Sequence, residues 1–210
     1  MQLIKGILQG SPEWLELRKG MFTASNAQAI ASNGKGLETY VNEVMSDYYA
    51  TVSDFYVNPD MERGNELEAS ARLVYEMETG NTVEEVTFIK ADEHTGCSPD
   101  GLVGEEGLLE IKCPNNKNYF LINLDKKYID TKYVWQMQMQ IYVSGRKWCD
   151  YIAYNPHFDE ERNGIKHFVI YRFEADTQAF EKIEAGLKTC IEKKLEIMKL
   201  VEQKKKGQRK

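Results

Sequence analysis

The 210-residue chain lacks a long apolar run, a basic leader ahead of an apolar stretch, and a glycine-rich phosphate loop. These absences argue against a helical membrane span, a secretory signal and the usual cradle for a nucleoside triphosphate. The expectation is a soluble, cytoplasmic protein with no membrane partner. The three histidines (His94, His157, His167) have no helical metal spacing and no neighbouring nucleophile, so histidine catalysis is not expected. The four cysteines (97, 113, 149 and 190) form no C-x-x-C pair, which favours reduced thiols over a disulfide frame or a metal cluster. No repeat or low-complexity linker divides the chain. With 42% hydrophobic and 29% charged residues it reads as one globular domain over residues 1–210.

Positive charge is also in short supply. The formal net charge is −6, and it is unevenly spread: residues 193–210 carry +6, leaving −12 on residues 1–192. An acidic body suits divalent cations. It does not exclude DNA, because affinity depends on local phosphate contacts.

The chemistry that is present centres on residues 97–114. Pro99 stiffens the backbone before Asp100, and Gly104-Glu105-Glu106-Gly107 is a turn signal that predicts a hairpin. In a strand Leu108–Lys112, Glu110 and Lys112 share one face while Leu109 and Ile111 share the other. If the hairpin returns that face to Asp100, two carboxylates and an ammonium converge. Metal-assisted phosphodiester hydrolysis uses such a set: oxygen ligands for Mg²⁺ and a cation near the attacking water. The same short pattern also fits an exposed hairpin with solvated charges.

Ser11-Pro12-Glu13 starts a helix that runs to about Lys19 and stops at Gly20. A short helix beginning at Thr23 or Ser25 offers amides and hydroxyls to an anion, with Arg18 as a bidentate partner; ordinary capping explains the pattern equally well. Helices are predicted over 37–51 and 60–79, a loop over 53–60, a strand over 82–90, and a loop or short helix over 117–125. A further helix over 131–143 sets Tyr133, Gln136 and Gln140 on one face, opposite a buried Val134, Met137, Ile141 stripe. Strands follow over 148–154 and 166–173, then a long C-terminal helix over about 176–206 with Leu195 among its apolar residues. A basic tail, 204–210, ends the chain. The fold class expected is α/β, a central mixed β-sheet flanked by helices.

Pro99-Asp100 … Glu110-Ile111-Lys112 resembles the PD-(D/E)xK nuclease core. The fuller Cys-Ser-Pro-Asp-Gly-Leu … Leu-Glu-Ile-Lys-Cys-Pro resembles the lambda exonuclease / YqaJ-type viral recombinase family, with similarity from about Trp14 to Val169. The resemblance implies that Asp100, Glu110, Glu68 and the Ile111 carbonyl hold metal, that Lys112 orients or activates water, and that Gln136 takes a catalytic-site position. It also places Arg18, Ser25 and Ser98 at a DNA phosphate, Lys117 in the DNA channel, and Met61 as a wedge between strands. The implied activity is a 5′→3′ exonuclease on double-stranded DNA ends that leaves a 3′ single strand. It would use two Mg²⁺ ions, with Mn²⁺ as a substitute. The implied partners are two further copies in a homotrimer ring and a single-strand annealing protein. Two rivals stand beside it: a RecB-like or structure-specific endonuclease on the same core, and a non-catalytic DNA-end-binding protein. The cysteines do not match the iron–sulfur members of the first group, and the four core residues are intact, against the second.

Overall fold

The computed structural model describes residues 1–51 and 59–207, apart from the side chains of 59–61. In chain order the elements are β1 (Gln2–Ile4), α1 (Pro12–Arg18), β2 (Phe22–Thr23), α2 (Ala27–Ser32), α3 (Lys35–Tyr49), α4 (Pro59–Thr79), β3 (Val83–Glu84), β4 (Phe88–Lys90) and β5 (Thr95–Cys97). They continue with β6 (Gly101–Val103), β7 (Gly107–Lys112), α5 (Asn116–Leu124), α6 (Thr131–Ser144), β8 (Trp148–Tyr154), α7 (Glu160–Asn163), β9 (Phe168–Glu174) and α8 (Thr177–Gly207). Most of the expected 53–60 loop and the last three residues of the tail lie outside the described residues.

Five strands make a mixed sheet in the order β3-β6-β7-β8-β9, with β7 and β8 parallel and the other neighbours antiparallel. The expected hairpin is β6–β7, with Gly101 opposite Leu109 and Gly104 in the left-handed region at φ 54°. Alternation along β7 and β8 splits the core. Leu108, Cys149 and Tyr151 join the cluster under α2, α3, α6 and α8, while Leu109, Ile111 and Ile152 pack with Ala71 and Tyr75 of α4. Asp150 is buried yet fully engaged, accepting from Tyr75 Oη at 2.7 Å and from Arg172 at 2.7 and 2.8 Å.

Two expectations are corrected. The single strand over 82–90 is two strands in different sheets. β3 pairs with β6, whereas β4 joins β1, β5 and β2 in a smaller four-stranded sheet. The chain crosses between them at Thr87, whose amide donates to the Ile4 carbonyl and whose hydroxyl donates to the Ile7 carbonyl. On α8, Leu195 is 42% exposed and Lys194 takes the inward place, its Nζ donating to the Gly20 carbonyl at 2.7 Å. Aliphatic period alone does not anticipate a lysine that buries its stem and caps a carbonyl.

The close approach of α8 to α2 depends on Gly186, where a Cβ would fall on the Ile30 carbonyl. We predict that Gly186→Ala lowers stability by about 1–3 kcal/mol, read as a lower denaturant midpoint.

Candidate active site

The sequence delivers three acids and a lysine to one end of the five-stranded sheet. Asp100 stands directly before β6, and its amide donates to the Leu109 carbonyl. Its Oδ2 in turn accepts the Ile111 amide at 2.6 Å, which holds the carboxylate against the strand bearing Glu110 and Lys112. Glu110 is fully buried. Gln136 Nε2 and Gln140 Nε2 donate to its two oxygens, each at 2.7 Å, and Lys112 Nζ pairs with Oε1. Glu68 reaches in from α4 and pairs with Arg72 at 2.6 Å, while Arg72 also contacts the Asp100 carbonyl and Glu85. These residues line a cleft of about 1140 Å³.

The electrostatics show too little positive charge for three acids. Burial, reinforced by Glu110, pushes the Asp100 carboxyl up to about 8 despite Lys112 nearby. Burial likewise raises Glu68, against the pull of Arg72. For Lys112, burial opposes the charge, but Glu110 and Asp100 outweigh it and the ammonium is held well above its ordinary range. Among the described residues, the buried side-chain polar atoms without a hydrogen-bond partner are Arg72 Nε, Gln140 Oε1 and Tyr151 Oη. The first two line the cleft, and Tyr151 pairs in register with Glu110 on the next strand. Oxygen donors crowded beyond the available cations fit a hard divalent ion. No group of three His, Cys, Asp or Glu among the described residues stands ready to hold an ion; Glu68 pairs with Arg72 and Glu110 with Lys112.

A second pocket opens on the same cleft. α1 is capped by Ser11 and carries Trp14 and Arg18 on one side. The Arg18 guanidinium stacks 3.9 Å from the Trp14 ring centroid and donates to Thr23 Oγ1 at 3.0 Å and Ser25 Oγ at 3.4 Å. Tyr40 Oη accepts the Thr23 amide at 2.9 Å and fixes that turn. Trp14 Nε1 donates to Ser98 Oγ at 3.1 Å, joining this pocket to the Pro99-Asp100 step. No carboxylate pairs with Arg18 among the described residues, so a half-buried guanidinium faces the cleft supported by the Trp14 ring and two hydroxyls.

A family model, the YqaJ-like viral recombinase domain, matches residues 13–147. The chain belongs to the YqaJ-like viral recombinase family. The alkaline exonuclease LHK-Exo of Laribacter hongkongensis is similar in structure, with a TM-score of 0.83 and 30% identity over 94% of this chain and 99% of that one. Its complex with dAMP gives the same values. A phage-related exonuclease from Haemophilus somnus 129PT shares the fold, with a TM-score of 0.72 at 14% identity over 89% and 99%. No curated protein sequence matches. The family fold is the PD-(D/E)xK nuclease fold expected from the sequence.

Of the residues expected at the family site, Arg18, Ser25, Glu68, Ser98, Asp100, Glu110, Lys112 and Gln136 all border the one cleft. Ile111 meets Asp100 through its amide. Lys117 does not join them. It is exposed near the start of α5 and lines a separate hollow with Arg63, Asn116 and His157. Met61 belongs to the first turn of α4, and its side chain lies outside the described residues. Sequence reasoning missed Arg72, Tyr40 and Gln140 as site residues. The i,i+4 spacing of Glu68 and Arg72 was the available signal for the first, and the helix face that Gln140 shares with Gln136 was the signal for the third; nothing local marks Tyr40.

A carboxyl whose folded-state pKa lies above its unfolded value loses stability as pH rises between the two. In EDTA, wild-type Tm should therefore fall more steeply from about pH 4 to pH 8 than that of Asp100→Asn. Parallel slopes in thermal scans would refute the crowding of charge inferred here.

Proposed function

We propose that the chain is a divalent-metal-dependent exodeoxyribonuclease that removes nucleotides 5′→3′ from double-stranded DNA ends and leaves a 3′ single strand for annealing-type recombination. The family and the fold support a nuclease role in viral-type recombination. The observation that carries the finer reading is the pairing of two features in one cleft. An under-neutralised acid cluster surrounds Lys112, and beside it lies Arg18, which has no carboxylate partner among the described residues.

Glu68, Asp100 and Glu110, with the Ile111 carbonyl, would hold one or two Mg²⁺ ions, Mn²⁺ substituting. Such ions supply Lewis-acid activation of water and neutralise charge on the scissile phosphate. Glu68 and Glu110 would exchange their present cationic partners to do so. Lys112, which pairs with Glu110 here and lies 5.1 Å from the Tyr133 ring, would as an ammonium orient the attacking water by donating to it once Glu110 turns to the ion. Gln136 keeps Glu110 aligned. Arg18, Ser25 and Ser98 would bind the terminal 5′-phosphate, which sets both polarity and register. Lys117, in the adjacent hollow, and Met61 would touch DNA beyond the cut.

Linear duplex labelled at either end, offered with a 5′-phosphate or 5′-hydroxyl, tests this reading. Mg²⁺-dependent release from the 5′ end is expected, favoured by the phosphate and abolished by EDTA, with closed circles left intact. Lys112→Ala should slow cleavage by at least about 100-fold. Arg18→Ala should erase the preference for a 5′-phosphate. Cutting of closed circles would replace this reading with the endonuclease. The ring assembly and hand-over to an annealing protein are part of the same proposal. Light scattering should return about three times the 24.3 kDa chain mass.

A further inference from the structure

We propose that Gln140 is a positioning residue which, together with Gln136, fixes the orientation in which Glu110 is offered to the bound ion; the inference rests on the metal-dependent reading above. Glu110 arrives on β7 with no exposed surface. The end torsion of a glutamate is intrinsically broad, so its two oxygens need outside restraint to present one defined edge. α6 supplies that restraint from one face. Gln136 and Gln140 are one turn apart, and each donates its side-chain amide to a different oxygen of the same carboxylate at 2.7 Å. With Lys112 also on Oε1, rotation is blocked from both sides.

Packing does not account for Gln140. Its neighbours Met137, Met139 and Ile141 show that apolar side chains fill this helix, and Gln140 is as deeply buried as they are. Its Oε1 has no partner, a standing cost that methionine or leucine would avoid. The amide cannot turn over to relieve this, because Oε1 would then oppose the Glu110 oxygen, acceptor against acceptor. Gln138 makes the contrast within the same helix. Its Nε2 donates to the Glu174 carbonyl at 2.8 Å and its Oε1 accepts the Asp176 amide at 2.9 Å, so both ends tie α6 to the β9–α8 link. Gln138 is structural; Gln140 serves Glu110.

The test compares wild type, Gln140→Met and Gln138→Met by calorimetric titration with Mn²⁺ and by Tm in EDTA. Gln140→Met should weaken Mn²⁺ binding about 10–100-fold and raise by a similar factor the Mg²⁺ needed for half-maximal cleavage. Gln138→Met should lower Tm in EDTA and leave Mn²⁺ affinity unchanged. Should Gln140→Met not fold, Gln140→Asn, whose amide falls one methylene short of Glu110, carries the same expectation. Wild-type affinity in a folded Gln140 variant, or an equal loss in Gln138→Met, would overturn the assignment. Wild type that binds no Mn²⁺ would overturn the metal-dependent reading along with it.

Discussion

Everything at the cleft depends on keeping one fully buried carboxylate supplied with donors. Glu110 sits where an unpartnered charge would be costly, and two amides and an ammonium converge on it from α6 and β7. That requirement fixes how α6 crosses the sheet, because its polar face must turn inward. It also explains why Lys112 remains a cation. The next acids, Asp100 and Glu68, are brought close without a matching share of positive charge, and burial beside Glu110 raises both carboxyls above their ordinary range. A negative site beside a guanidinium held by the Trp14 ring and two hydroxyls is organised for a cation and an anion together, as a phosphodiester and its ions would be.

The sheet-and-helix plan was readable because its signals are local. The β6–β7 turn, the Ser11 cap and the stop at Gly20 each act within a few residues. The smaller sheet was not readable. Its strands are two or three residues long, and they pair across the chain, Gln2 with Lys90 and Phe22 with Thr95. Strands that short carry no period. Their stability comes from partners far away in sequence, which is also why one predicted strand over 82–90 became two.

At the site, Asp100, Glu110 and Lys112 were legible because a two-residue period and a turn are enough to bring them together. Glu68 and Arg18 rested on family resemblance, and the fold places both on the cleft. Lys117, expected in the DNA channel and not at the acids, lies apart from them. α5 carries it to a neighbouring hollow lined also by Arg63 and His157. Gln140 and Tyr40 escaped for a different reason. Gln140 reads as part of an ordinary polar helix face, and Tyr40 as part of an amphipathic period, until the partner on another element is known. The paired use of Gln136 and Gln140 becomes visible only when Glu110 is set between them.

An acid cluster built for divalent cations should capture one in a crystal. Anomalous diffraction from a crystal grown with Mn²⁺ tests it most directly. The account predicts a peak between Asp100 and Glu110, with carboxylate oxygens about 2.0–2.2 Å from the ion as for hard-cation sites of this size. Glu68 should then be released from Arg72. A crystal in which Mn²⁺ sits elsewhere, with the Lys112–Glu110 and Arg72–Glu68 pairs intact, would contradict it.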